Sequence, residues 1–158
     1  MAEKVKVFAP ATIANFGPGF DVLGVALEDL GDFVAAEILD SDKGEVVLKD
    51  VYGDVPKTAD ENTAGIAAIA VLKILKEKHK LKAGSVGISV IKRIPQGGLG
   101  GSAASAVAGA VAVNELFGRK LLSQEIIDAS LVAEQAVAGY HLDNILPCLL
   151  GGFVYIKN

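Results

Sequence analysis

Four glycines fall within the five residues Gly97–Gly101, inside the stretch Pro95-Gln96-Gly97-Gly98-Leu99-Gly100-Gly101-Ser102-Ala103-Ala104-Ser105. No other part of the sequence constrains the fold as strongly. Val86 to Ile94 precedes it, with Val86, Ile88 and Val90 alternating with Gly87 and Ser89, which reads as a strand with one strongly apolar face. Ser102 to Ala112 follows it, a run of small residues that reads as a helix able to pack closely against a neighbour. Glycines permit a tight backbone, and a helix N-terminus offers unpaired N–H groups to an anion. A strand, a glycine turn and a helix in this order therefore point to a phosphate-binding loop. The alternative is a turn feeding a helix whose small residues serve packing alone. Neither the P-loop nor the dinucleotide fingerprint fits, because no Lys-Ser or Lys-Thr follows the last glycine and the glycine spacing differs.

Around this loop, Lys4–Phe8, Asp32–Leu39, Glu45–Lys49 and Phe153–Ile156 read as strands, and Val22–Leu27 as a strand or turn. Asn62 or Thr63 caps a predicted helix that runs to about Lys78, with Ile66, Ile69, Ala70, Leu72 and Leu75 at helical spacing. A further helix is predicted over Ser123–Ala138 with Ser123 as its cap. Lys73, Lys76, Lys78 and Lys80 read as a solvated face, and Val51–Asp60 as an irregular connection. Two segments gather polar residues among apolar ones: Ala9–Asp21, with Asn15 and Asp21, and Gly139–Pro147, with His141, Asp143 and Asn144. In the first, loop caps, an Asx turn and ligand contacts all fit.

A length of 158 residues suits one domain, and an apolar fraction of 51% with a mean hydropathy of +0.44 is high for so short a soluble chain. That suggests either a well-buried small domain or part of a larger protein whose remainder covers apolar surface. The formal charge of −4, without a basic tail or stripe, argues against nucleic acid as the main partner. A lone Cys148 and two histidines supply no disulfide and no Cys or His metal cluster, which fits a reducing location, cytoplasmic or that of a processed organelle protein. Met1–Val7 lacks the pattern of a signal peptide, and the apolar run Ile145–Val154 is too short to span a bilayer. Ser102 could give an oxygen to magnesium or phosphate at the helix start, with Glu134 as a second ligand or merely a solvent-facing or capping carboxylate. Ser102 or Ser105 with His141 and Asp143 could also be drawn as a hydrolase triad, but no Gly-x-Ser-x-Gly elbow supports it.

The motifs Pro10–Asp21, Pro95–Ser105 and Gly139–Gly152 together resemble the small-molecule kinase superfamily of galactokinase, homoserine kinase, mevalonate kinase and phosphomevalonate kinase. The run Gly-Leu-Gly-Gly-Ser-Ala-Ala carries the broad likeness, while Pro10–Asp21 and Gly139–Asn144 narrow it to the homoserine kinases. The resemblance covers essentially the whole sequence and implies an α+β fold over residues 1–158. The expected architecture is an N-terminal kinase domain with a mixed β-sheet packed with helices, of the kind seen in ribosomal protein S5 domain 2. It implies ATP-dependent phosphorylation of L-homoserine to O-phospho-L-homoserine, a step of threonine biosynthesis, with Mg2+.

Carried onto matching positions, the ATP side comprises Asn62, Pro95, Gln96, Gly97, Gly98, Leu99, Gly100, Gly101, Ser102, Ala103 and Ser105. Ser102 and Glu134 match positions associated with magnesium. Asn15, Asp21, His141, Asp143 and Asn144 fall on the substrate side, where Asp21 could hold an amine and His141 a carboxylate. No residue is expected as a general base, in keeping with phosphoryl transfer by alignment and electrostatics. Gly101 stands where the family usually has serine, so Gly101→Ser is expected to keep the fold and tighten nucleotide binding. Family kinases continue into a second domain that these 158 residues do not include, and weak activity is expected without it or a homodimer partner. A related alcohol kinase and a noncatalytic nucleotide-binding or dimerisation module are the other readings.

Overall fold

A computed structural model describes residues 3–81 and 84–157; Met1 and Ala2, the start of the charged opening, lie outside it. Its elements in chain order are β1 (Lys4–Phe16), β2 (Gly19–Ile38), β3 (Val46–Tyr52), α1 (Thr63–Glu77), β4 (Val86–Ile91), α2 (Gly101–Leu116), α3 (Ser123–Val137), α4 (Leu142–Leu150) and β5 (Phe153–Tyr155). The strands form one mixed sheet in the order β1-β2-β4-β3, with β5 added to β2 at Leu23–Val25. β3 and β4 pair in parallel through the α1 crossover, and the other pairings are antiparallel.

β1 and β2 make one long hairpin that closes at Gly17-Pro18, with Phe16 opposite Gly19. Of the prolines and glycines in Ala9–Asp21, Gly17 and Pro18 form the turn, whereas Pro10 and Gly19 lie within the strands. Pro10 sits at a register shift on edge strand β1, where a missing N–H costs no central ladder bond. That hairpin carries Asn15 and Asp21 at its tip. Val22–Leu27 is strand throughout.

β4 ends at Ile91, three residues before the expected Ile94. The backbone N–H groups of Arg93 and Ile94 leave the ladder to donate to the Asp32 carboxylate, at 2.8 and 3.0 Å. Asn62 caps α1 by accepting from the Ala64 N–H at 3.0 Å. α3 starts at Ser123, so Ser123 is its first helical residue rather than its cap; Glu125 reaches back to the Leu122 N–H. The Gly139–Pro147 segment, read as a polar cluster, contains most of α4. Pro147 lies inside that helix and cannot donate to the Asp143 carbonyl, which instead rests against Gly24 of β2, where a Cβ would meet it at 1.9 Å.

The small residues of α2 have the purpose their composition suggests. Ala103, Ala104, Ala106, Ala108, Ala110 and Ala112 are all fully buried, and α2 lies against β1, β2 and α1. At Gly109 a Cβ would meet the Ala64 carbonyl at 2.3 Å, so the two helices approach backbone to backbone. Among the described residues no helix is long and apolar enough to cross a membrane. Cys148 is buried and free, and burial pushes its thiol pKa upward.

Candidate functional site

The glycine loop enters from β4 and leaves into α2 through Gly100, whose φ of 61° is left-handed. Two constraints make glycine necessary there. An L-residue is strained at that φ, and a Cβ would lie 1.9 Å from Thr12 Oγ1 and 2.7 Å from Asn144 Oδ1. Thr12, fully buried in β1, donates its hydroxyl to Asn144 Oδ1 at 2.8 Å, and its N–H donates to the Leu99 carbonyl at 3.1 Å. The loop is thus tied to the hairpin and to α4. Asn144, expected on the substrate side, lines the same cleft as the loop and takes part in fixing it.

That cleft has a volume of about 600 Å³. Along it lie Pro95 to Ser102, Asn62, Ser105 and Glu134, together with Asn15, His141 and Asn144. The structure therefore brings together three segments far apart in sequence. Ala103 differs from the expectation for its side chain: it is fully buried in the core and is not among the residues lining the cleft, so only its backbone remains for a ligand. Asn62 borders the cleft, but its amide is engaged in the α1 cap and in donation to the Pro56 carbonyl at 2.8 Å. It shapes the wall more than it reads a ligand.

At the opening of α2, Ser102 Oγ donates to Glu134 Oε1 at 2.9 Å. Glu134 is only 2% exposed, and its Oε2 has no hydrogen-bond partner. Burial raises its pKa, opposed by the Ser102 hydrogen bond and the nearby His141 and Lys92. A buried, unpaired carboxylate oxygen beside a hydroxyl suits a hard cation that takes oxygen ligands. The solvent-facing alternative for Glu134 is excluded by its burial.

At the hairpin tip, Asn15 and Asp21 both have positive φ, 61° and 58°, and Asn15 Oδ1 accepts from the Asp21 N–H at 3.0 Å. The Asx-type contact holds the tip in shape. Asp21, His141 and Asp143 present their ligand atoms within 4.8 Å of one another. Asp21 is exposed, whereas Asp143 is 1% exposed with an unpartnered Oδ2. Burial raises the Asp143 pKa, eased by His141 and reinforced by Asp21. Neither aspartate lines the cleft itself, whereas His141 does, so the trio meets the cleft through His141.

No hydrolase triad forms. Ser102 bonds to Glu134, Ser105 bonds to Asp32, and His141 Nε2 meets the Ala138 carbonyl at 3.1 Å. Sequence reading missed Thr12, Asp32 and Lys92. Asp32 and Lys92 sat within strand patterns, yet a lone carboxylate and a lone lysine on apolar strand faces are signals of a buried pair.

A glycine loop between a strand and a helix, on a mixed sheet packed by helices and with a buried carboxylate beside it, defines the class as an α+β domain. Residues 66–152 match the family described as GHMP kinases N terminal domain, which is more than half of the chain, and the chain belongs to that family. It is 49% identical over 161 residues to a homoserine kinase of Arabidopsis thaliana, covering 98% of this chain and 42% of that protein. It is 44% identical to a homoserine kinase of Methanopyrus kandleri, covering 94% and 46%. The crystal structure of homoserine kinase from Cytophaga hutchinsonii aligns with a TM-score of 0.87 at 39% identity, over all of this chain and 50% of that one. The chain spans about half the length of the relatives it matches.

Proposed function

We propose that this chain carries the nucleotide-binding part of an ATP-dependent homoserine kinase, phosphorylating L-homoserine on its side-chain hydroxyl. The observation that carries the reading is the unpartnered Glu134 Oε2 beside Ser102 at the start of α2, where the glycine loop runs into the helix. The names of the relatives at 49% and 44% identity support homoserine as the substrate. In this reading the first-turn N–H groups of α2 and the loop backbone hold phosphate oxygens. Ser102 and Glu134 would hold magnesium, which when bound neutralises phosphate charge. Asp21 takes the homoserine ammonium, while Asp143 and His141 orient its polar groups. No residue need remove the hydroxyl proton in advance, because alignment and charge stabilisation carry most of phosphoryl transfer.

The test is calorimetric titration of the chain with ADP and magnesium, then with L-homoserine. Saturable ADP binding, strengthened by magnesium, followed by a second saturable heat from homoserine is the expected result. ADP binding without any response to homoserine overturns the substrate assignment. No ADP binding overturns the whole reading.

A further inference from the structure

Asp32 is fully buried in β2, and its carboxylate is bonded on both sides of the glycine loop. Oδ1 accepts from the N–H groups of Arg93 and Ile94, where the chain enters the loop. Oδ2 accepts from Ser105 Oγ at 2.9 Å, on the helix where the chain leaves it, and from Lys92 Nζ at 2.5 Å. Lys92 then donates to the Gly101 carbonyl at 2.5 Å and to Ser105 Oγ at 3.1 Å, so its three N–H groups are all engaged. Asp32 and Lys92 thereby join entry and exit of Pro95–Gly100 at one point in the wall of the cleft, which Lys92 itself lines.

We propose that Asp32 is a positioning residue for the glycine loop, a carboxylate clamp that works through Lys92 and Ser105 to hold the loop ready for phosphate. This rests on the nucleotide reading above. The physical advantage is pre-organisation: a loop with so many glycines has large backbone freedom to lose on binding, and a clamp at both ends removes much of it in advance. Gly101 is part of the device. A Cβ at that position would lie 2.9 Å from Lys92 Nζ and 3.3 Å from Ile94 Cγ2, so any side chain there pushes the ammonium from its place. On this proposal Gly101→Ser weakens nucleotide binding, the opposite of the expectation drawn from the sequence.

The test compares the chain with Asp32→Asn, with the neutral pair Asp32→Asn plus Lys92→Met, and with Gly101→Ala. The pair variant removes both buried charges together and keeps the comparison readable where Asp32→Asn alone fails to fold. Two quantities are read: amide hydrogen exchange of residues 97–102 without ligand, and affinity for ADP against affinity for adenosine. The pair variant is expected to exchange these amides at least tenfold faster and to bind ADP about tenfold more weakly, with adenosine changed less than twofold. Gly101→Ala is expected to weaken ADP about threefold in the parent chain and not at all in the pair background. Unchanged loop exchange, or equal losses for ADP and adenosine, overturns the clamp. Absence of ADP binding by the parent chain defeats the nucleotide reading instead, since loop exchange reports on the clamp without nucleotide.

Discussion

The two ends of the cleft are built on opposite principles. At the glycine loop, Thr12, Asn144, Asp32, Lys92 and Ser105 bond to one another or to the backbone, and nearly every buried polar atom has a partner. The exception is Glu134 Oε2, on a residue that lines the cleft. At the hairpin tip, two non-glycine residues sit at left-handed φ, Asp21 is exposed, and Asp143 keeps an unbonded oxygen next to His141. A ligand made of phosphates repeats the same charged groups, and a fixed cradle suits it. A small ligand with several different polar groups is better met by side chains whose bonds are still free. The difference in hydrogen-bond satisfaction thus tells the two subsites apart before any ligand is named.

The contrast breaks first at Gly100. Gly100→Ala combines a left-handed φ with a Cβ 1.9 Å from Thr12 Oγ1, so it strains the backbone and opens the Thr12–Asn144 bond. A loss of about 3 kcal/mol in stability is expected. Urea denaturation measures it, and a loss below about 0.5 kcal/mol would mean that the loop is not pinned there. Any fraction that remains folded should bind ADP far more weakly than the parent.

Glu134→Gln comes next. It keeps a hydrogen bond to Ser102 and removes the buried charge, so folding is expected to be unharmed or improved at neutral pH while the gain in ADP affinity from magnesium falls tenfold or more. ADP titrations with and without magnesium decide this, and an undiminished magnesium effect would remove Glu134 from the metal site. Asp21→Ala probes the other end. Because Asp21 is exposed, stability should shift by no more than about 0.5 kcal/mol, and homoserine affinity should drop about tenfold with ADP affinity intact. Equal losses for both ligands would erase the division between the subsites.

What the sequence made legible follows the same division. Glycine spacing and small-residue helices are local signals, so the loop, α1 and α2 could be read from the chain, whereas the parallel pairing of β3 with β4 could not. The Asn15–Asp21 and His141–Asn144 segments stood out as polar residues among apolar ones, but their meeting depends on the hairpin folding its tip toward the start of α4. That is a long-range contact no spacing encodes. Asp32 and Lys92 stayed hidden for another reason. Each occupied a strand position where alternation accounts for it, and only the pairing of β2 with β4 brings the two together. The end of β4 at Ile91 was missed with them, because the ladder is interrupted by a side chain from a different strand.

The smallest expected effect belongs to Asp143→Asn, and it separates a buried charge from a binding group. Burial raises the Asp143 pKa above its ordinary 3.8, with His141 opposing the rise and Asp21 adding to it; Glu134 is also near enough to repel. The folded chain therefore holds this proton at pH values where the unfolded chain has lost it. Stability contributed by the group is greatest below the unfolded value and falls as pH rises toward the folded one, remaining lower beyond it. Replacing the carboxylate with an amide removes this penalty. The variant should match the parent below about pH 3.5 and exceed it slightly in Tm near pH 7. Homoserine affinity should fall about fivefold, because an amide keeps one acceptor and loses the charge. Thermal melts across that pH range give the first measurement and homoserine titration the second. A Tm difference that turns in the parent's favour as pH rises would mean that the carboxylate is already paired in the folded chain, its pKa lowered rather than raised. The hairpin end of the cleft would then be as fully bonded as the glycine loop, and the contrast between them would fail.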